Sequence, residues 1–408
     1  MPDTQINYMA KVGAYLPRMP VRVNSNLPTV IEPGPGKFAY TRREPFGVCA
    51  LVIPWNFPLV NVVWKLAPAV AAGNTVVIKV AEQTPLSALY FANLIKEAGF
   101  PPGVVNIING LGSAAGSALV EHPEINLISF TGSTGTGKLI MKQAASTMKH
   151  VVLEAGGKSP MIVFNDADLE QATRWAHVGI MSNQGQVCCA TSRILVEKSV
   201  YSKFVGEFIK VVNTTSTVGD PFADSTFQGP QVTKAQFDRI LSYIDAGKRE
   251  GATLVLGGKA IKDANGQGLY IAPTVFTDVS PEMSIYQEEI FGPFVVIIPF
   301  STEEEAIELA NNTIFGLGAS VFTTNLQRGH SVAREIESGS KSTQLGVLET
   351  DETKSNILAV WLNSSTDADY RIPFGGKKQS GLGREWGEQG IIEFTSLKAI
   401  HVNLGSKL

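Results

Sequence analysis

The sequence predicts an α/β fold, a doubly wound parallel sheet followed by a second α/β domain. Three observations carry this reading. Short apolar runs recur along the chain, helical stretches lie between them, and Gly-rich turns follow several of the runs. Strands alternating with helices imply parallel pairing with right-handed crossovers.

The first set of runs is Cys49–Ile53, Thr75–Val80, Val104–Ile108, Leu127–Phe130 and Val151–Leu153. Within it, Thr84 reads as an N-cap with Pro85 at the first helical position, opening a helix that Gly99 ends. The second set includes Met161–Phe164, Arg193–Val196, Thr253–Leu256, Phe294–Phe300 and Ala319–Phe322. Ser301 and Glu304 there spell a capping box for a helix through Glu308. The two domains are expected to join near Gly156–Gly157. In doubly wound sheets, ligands sit beyond the carboxyl ends of the strands, so the residues just after each run are the place to look.

Composition narrows the function classes. A chain of 408 residues can hold two cores, and 44% hydrophobic with 17% charged residues describes an ordinary globular protein. A net charge of −3 and scattered Lys and Arg exclude a basic surface for nucleic acid. Only Cys49, Cys188 and Cys189 are present, so no disulfide framework is visible and a reducing compartment is expected. Without a C-x-x-C pair, and with 5 dispersed histidines, no metal site is expected. Met1–Pro17 has neither a secretory apolar run nor a transit pattern, so the expected location is the cytoplasm or the mitochondrial matrix. The most apolar window, Leu51–Gly73, contains Pro54, Asn56, Pro58, Asn61, Lys65 and Pro68. That much polarity and helix breaking excludes a membrane span and leaves buried strand, loop and helix.

Candidate chemistry lies in three places. Asn183-Gln184-Gly185-Gln186-Val187-Cys188-Cys189-Ala190 sets a thiol in a loop between packed elements, where reactive groups tend to lie. From the pair of cysteines alone, two small buried hydrophobes is the stronger reading. Val152-Leu153-Glu154-Ala155-Gly156-Gly157-Lys158 puts a carboxylate directly after a buried strand, either a partner for Lys158 or a general base. A Cys and a Glu without a catalytic His suit a thiol that forms an acyl intermediate and a carboxylate that activates water. Third, Ile128-Ser129-Phe130-Thr131-Gly132-Ser133-Thr134 is a strand, a small-residue turn and a helix start, fit for a pyrophosphate. It nearly spells a phosphate-binding loop, but Leu139 stands where that loop needs Ser or Thr, which argues against an NTPase. Gly110-Leu111-Gly112-Ser113-Ala114-Ala115-Gly116 is one residue too long for the dinucleotide fingerprint and equally fits close helix–strand packing.

Taken together, these segments resemble the aldehyde dehydrogenase superfamily. The marks are Pro54-Trp55-Asn56-Phe57-Pro58, Lys79-Val80-Ala81-Glu82, Phe130-Thr131-Gly132-Ser133-Thr134, Leu153-Glu154-Ala155-Gly156-Gly157-Lys158, Gly185-Gln186-Val187-Cys188, Glu288-Glu289-Ile290-Phe291-Gly292-Pro293, Pro373-Phe374-Gly375-Gly376 and Ser380-Gly381-Leu382-Gly383-Arg384-Glu385. The similarity runs from about Tyr40 to Asn403 and is nearest to the NAD-dependent fungal and animal class that oxidises small aldehydes. One small departure is Ala155, where the family more often has Leu.

The resemblance implies roles residue by residue. Cys188, rather than Cys189, matches the nucleophile. Asn56 matches the oxyanion donor and Glu154 the base that activates water. For NAD, Lys79 and Glu82 match the pair on the adenosine ribose, and Ser133 the helix start at the pyrophosphate. Glu289 matches the residue on the nicotinamide ribose, with Phe291 beside the ring; by itself Glu289 reads as a solvated acid before a Gly-Pro turn. Ile53, Pro54, Trp55, Gly112, Gly116, Phe130 and Gly132 complete the expected cofactor surface. Phe374 is expected on the pocket wall without a chemical duty.

The fold this implies is a doubly wound cofactor-binding sheet, a second α/β catalytic domain and a small oligomerisation arm. The expected boundaries are 1–26 with 46–156 for the NAD-binding domain, 157–386 for the catalytic domain, and 27–45 with 387–408 for the arm. Family members pair through such an arm, so a small-molecule aldehyde and further copies of the chain, as dimer or tetramer, are the expected partners. Two departures from the family stand out. Met1–Gly36 matches the family's N-terminal segment poorly, which reads as a truncation, and Lys341–Ala359 reads as an insert whose removal joins Ser340 to Val360-Trp361-Leu362-Asn363. The rivals are a catalytically silent chain that binds NAD or a sister subunit, and an acylating enzyme that uses coenzyme A. Glu154 argues against the second.

Overall fold

The computed structural model describes residues 31–34, 36–262, 268–336 and 359–405. The chain divides into two compact units. The first runs to Glu154 and takes back Asp369–Gly375 and the segment from Leu382, while the second is Ala155–Ala368 with Gly376–Gly381. Of the expected insert Lys341–Ala359, only Ala359 lies within the described residues.

The first unit is built on five parallel strands in the order His150–Glu154, Leu127–Thr131, Val48–Val52, Thr75–Lys79, Val105–Ile108. Numbered along the chain, that order is 5-4-1-2-3, so the winding reverses between the strands Val48–Val52 and Leu127–Thr131. The helix Pro58–Ala71 accounts for the apolar window. It opens on a proline and buries Val60, Val62, Val63 and Leu66. Cys49, Leu51, Val76, Ile78 and Leu127 of the sheet form the same core with Val62 and Leu66. No helix among the described residues is long and apolar enough to cross a membrane.

Also in this unit, Lys37–Pro45 pairs antiparallel with Thr395–Asn403 along its whole length, and Ile31–Gly34 adds a third strand. These are the stretches that the resemblance marked as an arm.

The second unit holds a seven-stranded sheet. Its order is Thr253–Leu256, Thr274–Thr277, Phe294–Phe300, Arg193–Glu197, Pro160–Val163, Gly318–Phe322, Ala359–Leu362. All neighbours are parallel except Thr253–Leu256, which runs antiparallel to Thr274–Thr277. The strand Thr274–Thr277 is not among the runs expected from sequence, being four residues long with threonine at both ends. The strand Ala359–Leu362 takes in the last residue of the expected insert, because Ala359 pairs with Gly318.

Two helix starts also differ from expectation. Pro85, not Thr84, occupies the cap position of the helix Leu86–Glu97, without any side-chain cap bond. Gly99 does end that helix, in the left-handed region at φ 83°. The second capping box is shifted by one residue: Thr302 accepts from the Glu305 N–H, and Glu305 reaches back to the Ser301 N–H. Three consecutive glutamates left the sequence register ambiguous there.

Candidate active site

In the first unit, the residues picked out from sequence cluster where the strand order reverses. Ile53, Pro54, Trp55 and Asn56 follow the strand Val48–Val52; Gly132 and Ser133 follow Leu127–Thr131. Ser133 caps the helix Thr134–Ala144, accepting from the Thr136 N–H at 3.3 Å. This leaves a helix N-terminus, with its partial positive charge, at the sheet's switch point. A Cβ on Gly132 would lie 2.5 Å from Phe130 Cζ, so the turn closes tightly on that ring.

Lys79 ends the next strand and donates to Glu82 at 3.1 Å. Burial acts to raise the Glu82 pKa, but a backbone hydrogen bond and Lys79 outweigh it and hold the carboxyl below its usual range. Gly116 packs beside Lys79, its would-be Cβ 3.9 Å from the lysine Cδ, whereas Gly112 faces open space. Around them the expected Gly110–Gly116 turn is a short π-helical segment, Gly112–Gly116. Glu154 closes the strand His150–Glu154 and is buried, its carbonyl accepting from the Gly132 N–H at 3.1 Å.

A charged pair missed from sequence lies in the same unit. Lys65, 1% exposed on the helix Pro58–Ala71, forms an ion pair with buried Glu385 and donates to Ser129 Oγ at 3.0 Å. Phe374 and Trp386 stack beside it at 4.8 Å, with Trp64 edge-on to Trp386. A lysine within the most apolar window, Leu51–Gly73, is the sequence signal for this pair.

In the second unit, the cysteine loop is set by an abrupt turn. The helix Leu169–Met181, capped by Asp168, ends in a 3-10 turn, Ser182–Gly185. There Asn183, Gln184 and Gly185 all take left-handed φ values of 49°, 57° and 69°. Strain of this kind persists only where packing holds it, and it collects at functional sites. Here the hold is visible: a Cβ on Gly185 would collide with the Gly292 carbonyl, and Gln186 Oε1 accepts from the Val232 N–H at 3.0 Å.

The turn delivers Cys188 against Gly157, where a Cβ would sit 2.5 Å from the Cys188 carbonyl oxygen. Cys189 goes elsewhere, its Cβ beside Gly318 on the neighbouring strand. The two cysteines therefore separate into one on the glycine turn and one packed on the sheet. Both are free thiols and both are half-buried.

Glu289 joins the same turn. Its Oε1 accepts from the Gly157 N–H at 3.0 Å, and a side chain on Gly156 would strike its carboxylate. It is thus not the solvated acid that its local sequence suggests. The helix Lys234–Arg249 grips its backbone: Arg239 donates to the Glu289 carbonyl at 2.8 Å and Gln236 to the Phe291 carbonyl at 2.9 Å. Lys158 donates to the Glu288 carbonyl at 2.6 Å. Burial pushes Glu289 up to about 7, against the pull of the Gly157 N–H, Lys158 and Arg239. Burial and then Arg193 push Lys158 down to about 7, opposed by Glu289 and Glu288. Ser380 completes the frame, donating to the Gly156 carbonyl at 2.6 Å and accepting from the Gly316 N–H at 2.9 Å.

Comparison with known proteins now decides the family. The model of the aldehyde dehydrogenase family matches residues 3–400. The chain belongs to the aldehyde dehydrogenase family. The match begins well ahead of Tyr40, where the sequence resemblance became readable. An aldehyde dehydrogenase of Emericella nidulans is 50% identical over 93% of this chain and 72% of its own length. Human retinaldehyde dehydrogenase 3 is also 50% identical, over 90% of this chain and 68% of its own. Among solved structures, a mutant aldehyde dehydrogenase of Bacillus cereus superposes with a TM-score of 0.90 at 43% identity, covering 99% of this chain and 77% of that one. A betaine aldehyde dehydrogenase point mutant of Staphylococcus aureus, in complex with NAD+ and with a BME-modified cysteine, gives 0.91 at 38% identity with the same coverage. Aldehyde oxidation is therefore the family activity to which these residues are to be fitted.

Proposed function

We propose that this aldehyde dehydrogenase oxidises an aldehyde to its carboxylic acid with NAD through a covalent intermediate on Cys188. The observation that carries the reading is the strained turn at Asn183–Gly185, which sets Cys188 on the Gly157 backbone while Cys189 packs on the sheet.

The residues of the first unit fit a dinucleotide. Ser133 and the helix behind it suit the pyrophosphate, the closed Gly132 turn leaves backbone free to approach it, and Glu82 with Lys79 suits the ribose hydroxyls. Glu289 would take the second ribose, with Phe291 beside the nicotinamide. When bound, NAD supplies the oxidant, accepting the hydride that turns the thiohemiacetal into a thioester.

The chain's own groups do the rest. The Cys188 thiolate adds to the aldehyde carbon and gives the thiohemiacetal. The Asn56 amide and the Cys188 N–H donate to its oxyanion, each lowering the barrier by about 3–4 kcal/mol. Glu154 then takes a proton from the water that attacks the thioester, releasing the acid and restoring the thiolate. The arm strands Lys37–Pro45 and Thr395–Asn403 are the proposed pairing face of a homo-oligomer. A silent chain is not favoured, since Cys188, Glu154 and Asn56 are all present.

The test is a pair of substitutions assayed by NADH absorbance with acetaldehyde or propanal. Cys188→Ser should abolish turnover and leave NAD binding intact, because a hydroxyl without an adjacent base is a far weaker nucleophile. Cys189→Ser should keep most activity. Loss in the second variant rather than the first would overturn the assignment.

A further inference from the structure

The turn that presents Cys188 is held by a stretch of chain that supplies no group to the chemistry above. Residues 228–232 lie along it and bond to it at four points. Gln228 donates to the Met181 carbonyl at 3.2 Å, where the helix Leu169–Met181 ends. Gln184, with its amide oxygen turned to Gly229, accepts from the Gly229 N–H at 2.8 Å. Gln231 reaches the Gln184 carbonyl at 3.5 Å, and Val232 donates its N–H to Gln186 Oε1 at 3.0 Å. These points fall before, within and after the left-handed residues Asn183, Gln184 and Gly185. We propose that residues 228–239 form a brace that sets the Cys188 turn against the loop of Glu289 and Phe291, with Gln228 and Gln231 as positioning residues. The proposal rests on the reading of Cys188 as nucleophile and of Glu289 and Phe291 as the nicotinamide side.

A brace must be stiffer than what it holds, and this one is anchored away from the turn. The Gln228 N–H donates to the Thr217 carbonyl at 2.9 Å and its own carbonyl accepts from the Gly219 N–H at 3.0 Å, just beyond the helix Tyr201–Thr215. The Gln231 N–H donates to the Leu269 carbonyl at 2.9 Å. Between the two glutamines Pro230 fixes its own φ. Both amide side chains are buried, Gln228 at 1% and Gln231 at 2% exposure. Burying an amide costs free energy that hydrogen bonds must return, and here the donated bonds end on the turn.

The stretch then runs directly into the helix Lys234–Arg249. Thr233 caps that helix, accepting from the Gln236 N–H at 3.2 Å. Gln236 donates to the carbonyls of Ile290 and Phe291 at 3.0 and 2.9 Å, and Arg239 to that of Glu289 at 2.8 Å. One continuous piece of chain thus bonds the nucleophile turn at one end and the backbone of Glu289 and Phe291 at the other. The two held parts also meet directly, where Gly185 lies against the Gly292 carbonyl. Moving one against the other changes the distance the hydride must cross, and rates are steep in such distances. Left-handed residues relax once their support is withdrawn, so the turn is the part that moves.

The experiment is single-turnover mixing of the full chain, in excess over propanal and at saturating NAD, with NADH followed by absorbance. Its rate constant, unlike its amplitude, is indifferent to the fraction of folded protein. Thr233→Ala and Thr302→Ala each remove one N-cap bond of 3.2 Å, the first in the brace and the second on the helix Glu303–Asn311 outside it. Both should lower the melting temperature alike. Only Thr233→Ala should slow NADH formation, by about fivefold, and Gln228→Met should slow it by about tenfold. Propanal deuterated at the aldehyde carbon should slow both brace variants further, which places the loss at hydride transfer. Should Gln228→Met fail to fold, the two threonine variants, neither at a buried position, still decide. Equal rate constants in Thr233→Ala and Thr302→Ala, or no isotope effect in the brace variants, would refute the brace. Turnover surviving in Cys188→Ser would instead remove the reading beneath it.

Discussion

Each unit sets a lysine and a glutamate beside a turn, and the two arrangements differ in how they are held. Lys79 and Glu82 are three residues apart, their ion pair is 3.1 Å, and the Glu82 side chain is 37% exposed. Lys158 and Glu289 are far apart in sequence and fixed through backbone: Lys158 on the Glu288 carbonyl, Glu289 on the Gly157 N–H. The first carboxyl sits below its usual range and the second rises to about 7. Solvent and a near neighbour keep Glu82 ionised throughout the working range of pH, whereas burial leaves Glu289 poised within it. A third pair, Lys65 and Glu385, carries the series to full burial. The same two residue types thus range from a surface pair, worth under about 1 kcal/mol, to a buried one whose disruption costs several.

The largest expected effect is at the buried end. Lys65→Met leaves Glu385 as an uncompensated buried charge, whose Oε2 already has no hydrogen-bond partner. It should cost about 3–5 kcal/mol in denaturant unfolding. Lys65→Met combined with Glu385→Leu should recover much of that loss, and a double variant no better than the single would end the series at two pairs.

Gly157→Ala comes next. The new methyl meets the Cys188 carbonyl at 2.5 Å and Leu317 at 3.2 Å, so the cysteine loop must move. Misplacement of about 1 Å can cost about 100-fold in turnover. Near-normal kcat in this variant would show that the loop tolerates displacement.

Glu289→Gln should raise KM for NAD about tenfold, the loss of one charge-assisted hydrogen bond, with a smaller change in kcat. The wild-type KM should itself rise as pH falls through about 7, because protonation neutralises the accepting carboxylate. The Gln variant should show no such rise. A pH profile common to both proteins would detach Glu289 from the cofactor.

The smallest effect on stability belongs to Glu82→Thr, under about 1 kcal/mol for so exposed a pair. Its readout is coenzyme choice. A carboxylate at Glu82 accepts from a ribose 2′-hydroxyl and repels a 2′-phosphate, so NAD should be preferred and the Thr variant should narrow the gap. Equal efficiency with NADP in the native chain would contradict this.

The same contrast explains what could be read in the sequence. Parallel strands and the residues beyond their ends follow from local periodicity, so the helix start at Gly132–Ser133 was legible, whereas Lys79 and Glu82 stood out only through the family resemblance and the reversal between Val48–Val52 and Leu127–Thr131 only in the folded sheet. The framing of Cys188 was not. It depends on three contacts between segments distant in sequence, Gly157 with Cys188, Gly185 with Gly292, and Ser380 with Gly156. A glycine that must be glycine because another backbone presses on it looks, in sequence, like any other. The Ser301 register failed for a different reason, since Glu303, Glu304 and Glu305 offer interchangeable partners and only folding selects Glu305.

The central claim is a division of labour, Cys188 forming the acyl intermediate and Glu154 releasing it. Rapid mixing of Glu154→Gln with NAD and propanal tests it most directly, with NADH followed by absorbance and the protein by intact mass and peptide mapping. The account predicts a burst of NADH, slow turnover afterwards, and an acyl adduct that maps to Cys188. Steady, near-normal turnover with no burst and no adduct would contradict it.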